Sequence, residues 1–127
     1  MTDRFTVSRR SAERRGRSSE AVAALWLRLH GHRILGRRIK THVGEIDLVS
    51  LAPFGPVCFI EVKARGEARA AAESVAPAQR ARIVRAASLY LAGRPALARR
   101  GARFDVIAIA PNRLPHHFRD VWRAEDV

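Results

Sequence analysis

The sequence has one cysteine, eight aromatic residues and twelve acidic residues, and each of these shortages narrows what the protein can be. With Cys58 alone, no disulfide can form within one chain, which favours a reducing cytoplasm. Cys58 lies in an apolar run and is interpreted as a small core residue rather than a nucleophile. Most of the aromatics occupy core-like positions, so single-strand binding through base stacking is not expected.

Long hydrophobic runs are also missing. Residues 21–27 are apolar, but the run is bounded by Glu20 and Arg28. A membrane-spanning helix needs about 20 apolar residues. No small-residue cleavage site of a signal peptide follows the run. The segment is therefore predicted to be a folded helix, and no membrane association is expected.

Basic residues are abundant where acids are scarce: 24 Lys and Arg give a net charge of +12 and a pI near 11.7. This balance predicts attraction to nucleic acid or anionic lipid, with a surface that serves only solubility as the alternative. Residues 1–17 are polar and Arg-rich and are predicted to be a flexible basic arm. Residues 18–127 suffice for one domain with a single core.

The order of predicted elements is α-β-β-β-α-β-β, an α/β fold with one mixed sheet flanked by helices. The first helix ends near His30 with Gly31 as its stop, and Pro77 opens the second, which Gly93 closes. The predicted strands are His32 to Lys40, Glu45 to Leu51, Val57 to Ala64, Arg103 to Ala110 and Leu114 to Trp122. Residues 65–76 are predicted to be a loop.

The first helix is apolar on nearly all sides. Val22, Leu25, Trp26 and Leu29 form a wide apolar stripe. The opposite face carries Glu20 and three apolar residues, Ala23, Ala24 and Leu27. This pattern predicts a helix that is covered on both sides.

Four acids stand out because residues 14–65 contain no others, alongside ten Lys and Arg: Glu20, Glu45, Asp47 and Glu61. Strand alternation puts Glu45 and Asp47 on one face, opposite Ile46 and Leu48. If residues 52–56 form the hairpin loop, Asp47 lies across from Glu61 at about 5 Å between Cβ atoms, and Glu45 faces Lys63.

Opposed carboxylates repel, so something cationic must justify the arrangement. A hard divalent ion with oxygen ligands fits best, and Mg²⁺ suits a site with one or two carboxylates plus phosphate and water. Lys63 is one of only two lysines beside 22 arginines. Unlike Arg, a buried Lys can shift its pKa and handle a proton. A structural pairing of Lys63 with Glu45 is the alternative.

Asp47, a thirteen-residue gap and then Glu61-Val62-Lys63 resemble the signature of PD-(D/E)XK nucleases. Gly44-Glu45-Ile46-Asp47-Leu48, Phe59 to Arg65 and Arg103-Phe104-Asp105-Val106 resemble the YraN family, a bacterial group near Holliday-junction-resolvase-like endonucleases. The resemblance covers about residues 16–122. It implies a restriction-endonuclease-like core and metal-dependent cleavage of DNA, with branched or structured DNA favoured and a homodimer suited to a symmetric junction.

The resemblance also implies residue roles. Asp47 and Glu61 become ligands of Mg²⁺ or Mn²⁺, with the Val62 carbonyl as a third candidate, and Lys63 orients or activates the attacking water. Glu20 matches an acid near the metal, although it also suits the first turn of a helix as an isolated residue. Gln79 matches a polar position of the family, but Ala78 stands where relatives usually have Lys, which puts a role for Gln79 in doubt.

Other residues receive simpler interpretations. Arg65, Arg82 and Arg85 are the candidate nucleic-acid contacts. Asp105 is predicted to support structure, paired with Arg103 or Arg65. His116 and His117 show no zinc-ligand spacing and are predicted to be solvated. Three functions stay open: a metal-dependent nuclease, a nucleic-acid-binding module without independent cleavage activity, and a structural role in which the acids neutralise buried cations.

Overall fold

The computed structural model describes residues 18–64, 72 and 74–127. Within them the elements are α1 (residues 18–29), β1 (Arg33–Thr41), β2 (Gly44–Leu51), β3 (Val57–Ala64), α2 (Pro77–Ala92), α3 (Pro95–Ala98), β4 (Ala102–Ile109), β5 (His116–Trp122) and a 3₁₀ turn (Ala124–Asp126). The predicted basic arm, most of the predicted loop at residues 65–76 and the candidate contact Arg65 lie outside the described residues.

The five strands form one mixed sheet in the order β1-β2-β3-β4-β5. Three neighbouring pairs are antiparallel, while β3 and β4 run parallel because α2 and α3 lie between them in the chain. The predicted α/β architecture, a mixed sheet flanked by helices, is confirmed. The one-turn helix α3 was not predicted from the sequence, because four residues are too few to show a helical period.

The sheet has an apolar core on each face. On the α2 side, Phe59 stacks on Phe104, and Phe104 on Trp122, with ring centroids 5.8 and 5.5 Å apart. On the α1 side, the core joins Ala23, Ala24 and Leu27 of the helix to buried residues of the sheet: Leu48, Ala52, Cys58, Ile60 and Ile107. In each of β3 and β4, five consecutive residues are buried because the strands lie between both cores.

Helix α1 packs through the face opposite to its predicted stripe. Val22, Leu25 and Leu29 are 42, 55 and 74% exposed, so the prediction that both faces are covered is wrong. Small side chains decide the outcome, because Ala23 and Ala24 let the helix backbone approach the sheet closely. Gly31, with φ +86°, then turns the chain into β1, as predicted. No helix in the described ranges is long and apolar enough to cross a membrane.

The β2–β3 hairpin has the predicted register, from Leu51↔Val57 to Leu48↔Ile60. Regular pairing stops there, one residue before Asp47 and Glu61. The strands therefore separate at the candidate site, and the prediction that these two residues form a regular ladder pair is wrong. Backbone groups and side chains at this end of the hairpin are available for other contacts.

The alternation predicted for β2 also fails at this point. Ile46 packs in the core under α2, whereas Leu48 packs under α1. On β1, the pairs Arg37↔Leu48 and Ile39↔Ile46 flank Arg38, whose φ is +52°. A left-handed residue interrupts the pleat of its strand, so β1 is irregular opposite the same stretch of β2 where the alternation fails.

Candidate active site

Asp47 lies where β2 and β3 separate, and its side chain bridges the gap. The backbone N–H of Val62 donates to Asp47 Oδ2 at 2.8 Å. A carboxylate thus replaces the backbone acceptor that a continued ladder would supply. The same bond fixes the Asp47 side chain against β3, one residue from Glu61.

Glu61 is 8% exposed and is held from two sides through Oε1. Gln79 Nε2, in the first turn of α2, donates to Oε1 at 2.9 Å. Lys63 Nζ lies 3.5 Å from the same oxygen, with 17% of its side chain exposed. Glu61 and Lys63 share a face of β3, as predicted from alternation. The predicted facing of Lys63 with Glu45 is wrong, because regular pairing of β2 with β3 ends at Leu48↔Ile60 and Glu45 is exposed.

Burial and mutual repulsion oppose the ionisation of both carboxyl groups, Asp47 and Glu61. Burial raises the pKa of Glu61 to about 7, with the neighbouring Asp47 carboxylate as the second cause and Lys63 acting in the opposite direction. Burial also raises the pKa of Asp47, and the bond from Val62 opposes that shift. One lysine does not balance the buried Glu61 and the half-buried Asp47, so the pair favours the uptake of a proton or a cation near neutral pH.

Glu20 joins this cluster from α1. Its pKa is raised, first by burial and next by Asp47, while Arg38 lowers it. Arg38 Nε lies 3.6 Å from Glu20 Oε2, and that buried oxygen accepts no hydrogen bond from the residues that the structure describes. A buried carboxylate oxygen without a donor needs an explanation such as an absent ion or water. The role of Glu20 as an acid near a metal stays a prediction.

The donors at this site fit a hard divalent cation. Asp47 and Glu61 offer carboxylate oxygens, and hard ions such as Mg²⁺ take oxygen ligands and keep several waters. Among the described residues, no group of three or more His, Cys, Asp or Glu is arranged to hold a metal. The donor set would thus consist of two carboxylates, and the Val62 carbonyl as a third ligand stays a prediction.

The sequence left the role of Gln79 in doubt, and the structure places this residue at the site. The sequence contains some of the information needed to predict its position. Pro77 sets the start of α2, and Gln79 precedes the buried residues Ile83, Ala86 and Tyr90 at helical spacing. A polar residue in line with a helix's buried face needs a partner. That partner here is Glu61.

The arginines predicted to contact nucleic acid are exposed on α2, at Arg82 and Arg85. The helix approaches β2 closely near the site, because a Cβ on Gly44 would meet Arg82 atoms at 3.3 Å. Glycine at this position therefore lets the helix carry Arg82 close to the start of β2. The contact of Arg82 and Arg85 with nucleic acid stays a prediction.

A second polar cluster lies at Asp105, which is fully buried in β4. Arg103 donates to both carboxylate oxygens, through Nε and Nη2, each at 2.9 Å. His117 Nε2 lies 2.8 Å from Oδ2, and the backbone N–H of Asp120 donates to Oδ1 at 2.9 Å. The predicted structural pairing of Asp105 with Arg103 is confirmed. The prediction that His117 is solvated is wrong, since only 8% of its side chain is exposed.

The core interpretation of Cys58 is confirmed, because the residue is fully buried among apolar side chains. Burial raises the pKa of its thiol to about 11. A thiol of that pKa stays protonated at neutral pH and is a poor nucleophile.

A family model and the similar proteins all indicate the same family for this chain. Residues 19–109 match the family described as "Uncharacterised protein family UPF0102". A UPF0102 protein of Paramagnetospirillum magneticum is 48% identical over 119 residues, 91% of this chain and 92% of the relative. One of Acidiphilium cryptum is 44% identical over 125 residues (98% and 96%), and one of Rhodopseudomonas palustris is 50% identical over 118 residues (93% and 90%). The chain therefore belongs to the UPF0102 family, which confirms the predicted YraN relationship.

Proposed function

We propose that this protein is a metal-dependent endonuclease that hydrolyses phosphodiester bonds in DNA, with Mg²⁺ or Mn²⁺ as cofactor. The observation that carries the proposal is the cluster where β2 and β3 separate: Asp47 accepts a hydrogen bond from the Val62 N–H at 2.8 Å, and Lys63 Nζ lies 3.5 Å from Glu61 Oε1. Burial raises the pKa of both acids. Clustered carboxyl groups with pKa values shifted in this way are typical of functional sites. The resemblance to PD-(D/E)XK nucleases favours branched or structured DNA, a homodimer and the cytoplasm.

Each residue of the site has a distinct part in this proposal. Asp47 and Glu61 would hold the cation, which when bound polarises the phosphodiester and stabilises the developing charge. The amide of Gln79 restricts the rotation of Glu61 through Oε1. Lys63, beside the same oxygen, would orient the attacking water and handle its proton. Val62 fixes Asp47 through its backbone N–H.

The second candidate is a nucleic-acid-binding module that does not cleave independently. It is favoured by the net charge of +12 and by the exposed arginines of α2. The two candidates are separated by a cleavage screen over single-stranded, duplex, flap and four-way DNA, with Mg²⁺ or Mn²⁺ against EDTA. Metal-dependent cleavage of any of these substrates supports the nuclease. Binding without cleavage under all conditions supports the module.

The cation site can be tested without a substrate by melting Asp47→Asn beside the parent. In EDTA the variant should be as stable as the parent, or more stable by a fraction of a kcal/mol up to about 1 kcal/mol, because one of two repelling charges is gone. Mg²⁺ or Mn²⁺ should raise the melting temperature of the parent and leave the variant nearly unchanged, as expected when a ligand binds only the folded state.

Glu45→Gln is the matched control, since it removes an exposed acid two residues away and should keep the parent's metal response. If Asp47 instead balances a buried cation, its loss should cost about 3–5 kcal/mol in EDTA. That loss, together with a parent that does not respond to metal, would remove the basis for a cation site.

Nucleic-acid binding through phosphates predicts a steep dependence on salt. Log affinity should fall linearly with log salt concentration, because bound cations release counterions from DNA. Arg82→Ala and Arg85→Ala should each weaken binding to all sequences alike and reduce the slope by about one. Fluorescence anisotropy with a duplex oligonucleotide measures both quantities. Arg99→Ala, at an exposed position after α3, is the control, and binding that ignores salt would contradict the prediction.

A further inference from the structure

Arg38 has an unusual backbone for an arginine in a strand. Its φ of +52° lies in the left-handed region, which Gly, Asn and Asp adopt more readily than long side chains. The residue lies between the pairs Arg37↔Leu48 and Ile39↔Ile46, opposite the part of β2 that carries Asp47. Unfavourable backbone conformations of this kind cluster at functional sites, where surrounding structure maintains them.

The contact made by Arg38 is electrostatic and incomplete. Its Nε lies 3.6 Å from Glu20 Oε2, which is longer than a hydrogen bond. Among the described residues, the Arg38 guanidinium makes no hydrogen bond, and 40% of its side chain is exposed. Glu20 Oε2 is also buried, and no residue within 18–64, 72 and 74–127 donates a hydrogen bond to it. Arg38 thus neutralises Glu20 while its fork of N–H groups stays available.

We propose that Arg38 is a phosphate-binding residue of the site and is paired with Glu20 only until a cation binds. The inference rests on the proposed function. A guanidinium matches two phosphate oxygens at once. The donors of Arg38 lie beside Glu20, the acid whose pKa the Asp47 carboxylate helps to raise. A divalent ion held by Asp47 and Glu61 would attract the neighbouring Glu20 carboxylate without being ligated by it, and so would weaken the pairing of Glu20 with Arg38. Its binding therefore frees the guanidinium for the phosphate of an incoming nucleic acid.

The alternative is that Arg38 only balances the charge of Glu20. The two roles differ in what the metal changes. A charge-balancing arginine contributes equally to DNA binding with and without metal, like any other basic residue near the site. A phosphate ligand released by the cation contributes mainly when the cation is present.

The experiment uses the full chain with Lys63→Ala, which blocks cleavage, and compares Arg38→Asn with Arg33→Asn. Asn tolerates the left-handed backbone, so Arg38→Asn should fold, and Arg33 is an exposed arginine at the other end of β1. A fluorescent duplex oligonucleotide is titrated over a salt series in Mg²⁺ and in EDTA. In Mg²⁺, Arg38→Asn should weaken binding about threefold to tenfold and reduce the salt slope by about one. In EDTA its effect should match the small effect of Arg33→Asn.

A second variant, Glu20→Gln, tests independently whether the pairing of Arg38 with Glu20 causes the metal dependence. Glu20→Gln removes the carboxylate that pairs with Arg38, so the effect of Arg38→Asn in that background should become the same with and without Mg²⁺. If Arg38→Asn equals Arg33→Asn in every condition while the parent responds to Mg²⁺ in melting, the role of Arg38 is refuted and the cation site stands. If the parent shows no metal response at all, the proposed function and this inference fall together.

Discussion

Lys63→Arg is expected to abolish metal-dependent cleavage almost as completely as Lys63→Ala. Lys63 Nζ lies 3.5 Å from Glu61 Oε1 in a mostly buried position that suits a compact ammonium. A guanidinium keeps the charge but is larger, planar and unable to deprotonate. Loss of a residue that positions or deprotonates water lowers the rate by about 10²- to 10⁴-fold. Single-turnover cleavage of the best substrate from the DNA screen, in Mg²⁺, measures the effect.

The chain offers a matched control because it has only one other lysine. Lys40 is exposed on β1 and pairs with Glu45, so Lys40→Arg makes the same chemical change outside the site and should retain full activity. Melting curves establish that each variant is folded. Full activity in Lys63→Arg would show that any positive charge suffices there and would reduce Lys63 to a general phosphate contact.

Asp105→Asn is expected to cause the largest loss of stability of any single substitution considered for this fold. Although burial acts to raise it, hydrogen bonds from His117 and Arg103 hold the pKa of Asp105 down at about 2. The amide keeps the size of the side chain but leaves the half-buried Arg103 without the fully buried counter-charge that Asp105 supplies. Breaking a buried ion pair by removing one partner costs about 3–5 kcal/mol. Urea unfolding of both proteins measures the difference, a large share of the roughly 5–15 kcal/mol typical of a domain.

Asp120→Asn is the control for this substitution. Its pair with Arg123, at 3.3 Å, is exposed, and surface pairs contribute about 0–1 kcal/mol. Asn also suits the left-handed backbone of that residue, whose φ is +54°. Equal losses in the two variants would contradict the assignment of Asp105 as a buried structural anion.

Protonation of Asp105 in acid should also lower the free energy of unfolding of the parent protein. Its folded pKa lies below the ordinary value of 3.8, so the carboxylate stabilises the fold above that pH. The contribution disappears as the pH falls from 3.8 towards 2, because the unfolded state then takes up the proton first. Asp105→Asn should lack this part of the acid transition.

Much of the fold could be predicted because its signals are local. Turn residues at 52–56 set the hairpin, alternation placed Glu61 and Lys63 on one face of β3, and Pro77 and Gly93 bounded α2. Asp47 and Glu61 became neighbours for the same reason, since a short loop fixes the register of two strands. Their place at the end of regular pairing was not predictable, because separation of strands depends on what packs around them.

Contacts between distant elements were decided by the tertiary structure alone. Which face of α1 would be buried depended on how closely Ala23 and Ala24 let it approach the sheet. The partner of Lys63 became Glu61 rather than Glu45 because β2 and β3 separate before Asp47. Gln79 reached Glu61 only through the docking of α2 on the sheet.

The sequence by itself determined the order of elements, the hairpin register, the acids of the candidate site and the family. These follow from side-chain periodicity, turn chemistry and motif spacing, which act over a few residues. The tertiary structure decided the left-handed Arg38, its incomplete pairing with Glu20 and the burial of His117 against Asp105. Strand twist and the packing of both helices set those contacts, and neither can be read from the spacing of residues along the chain.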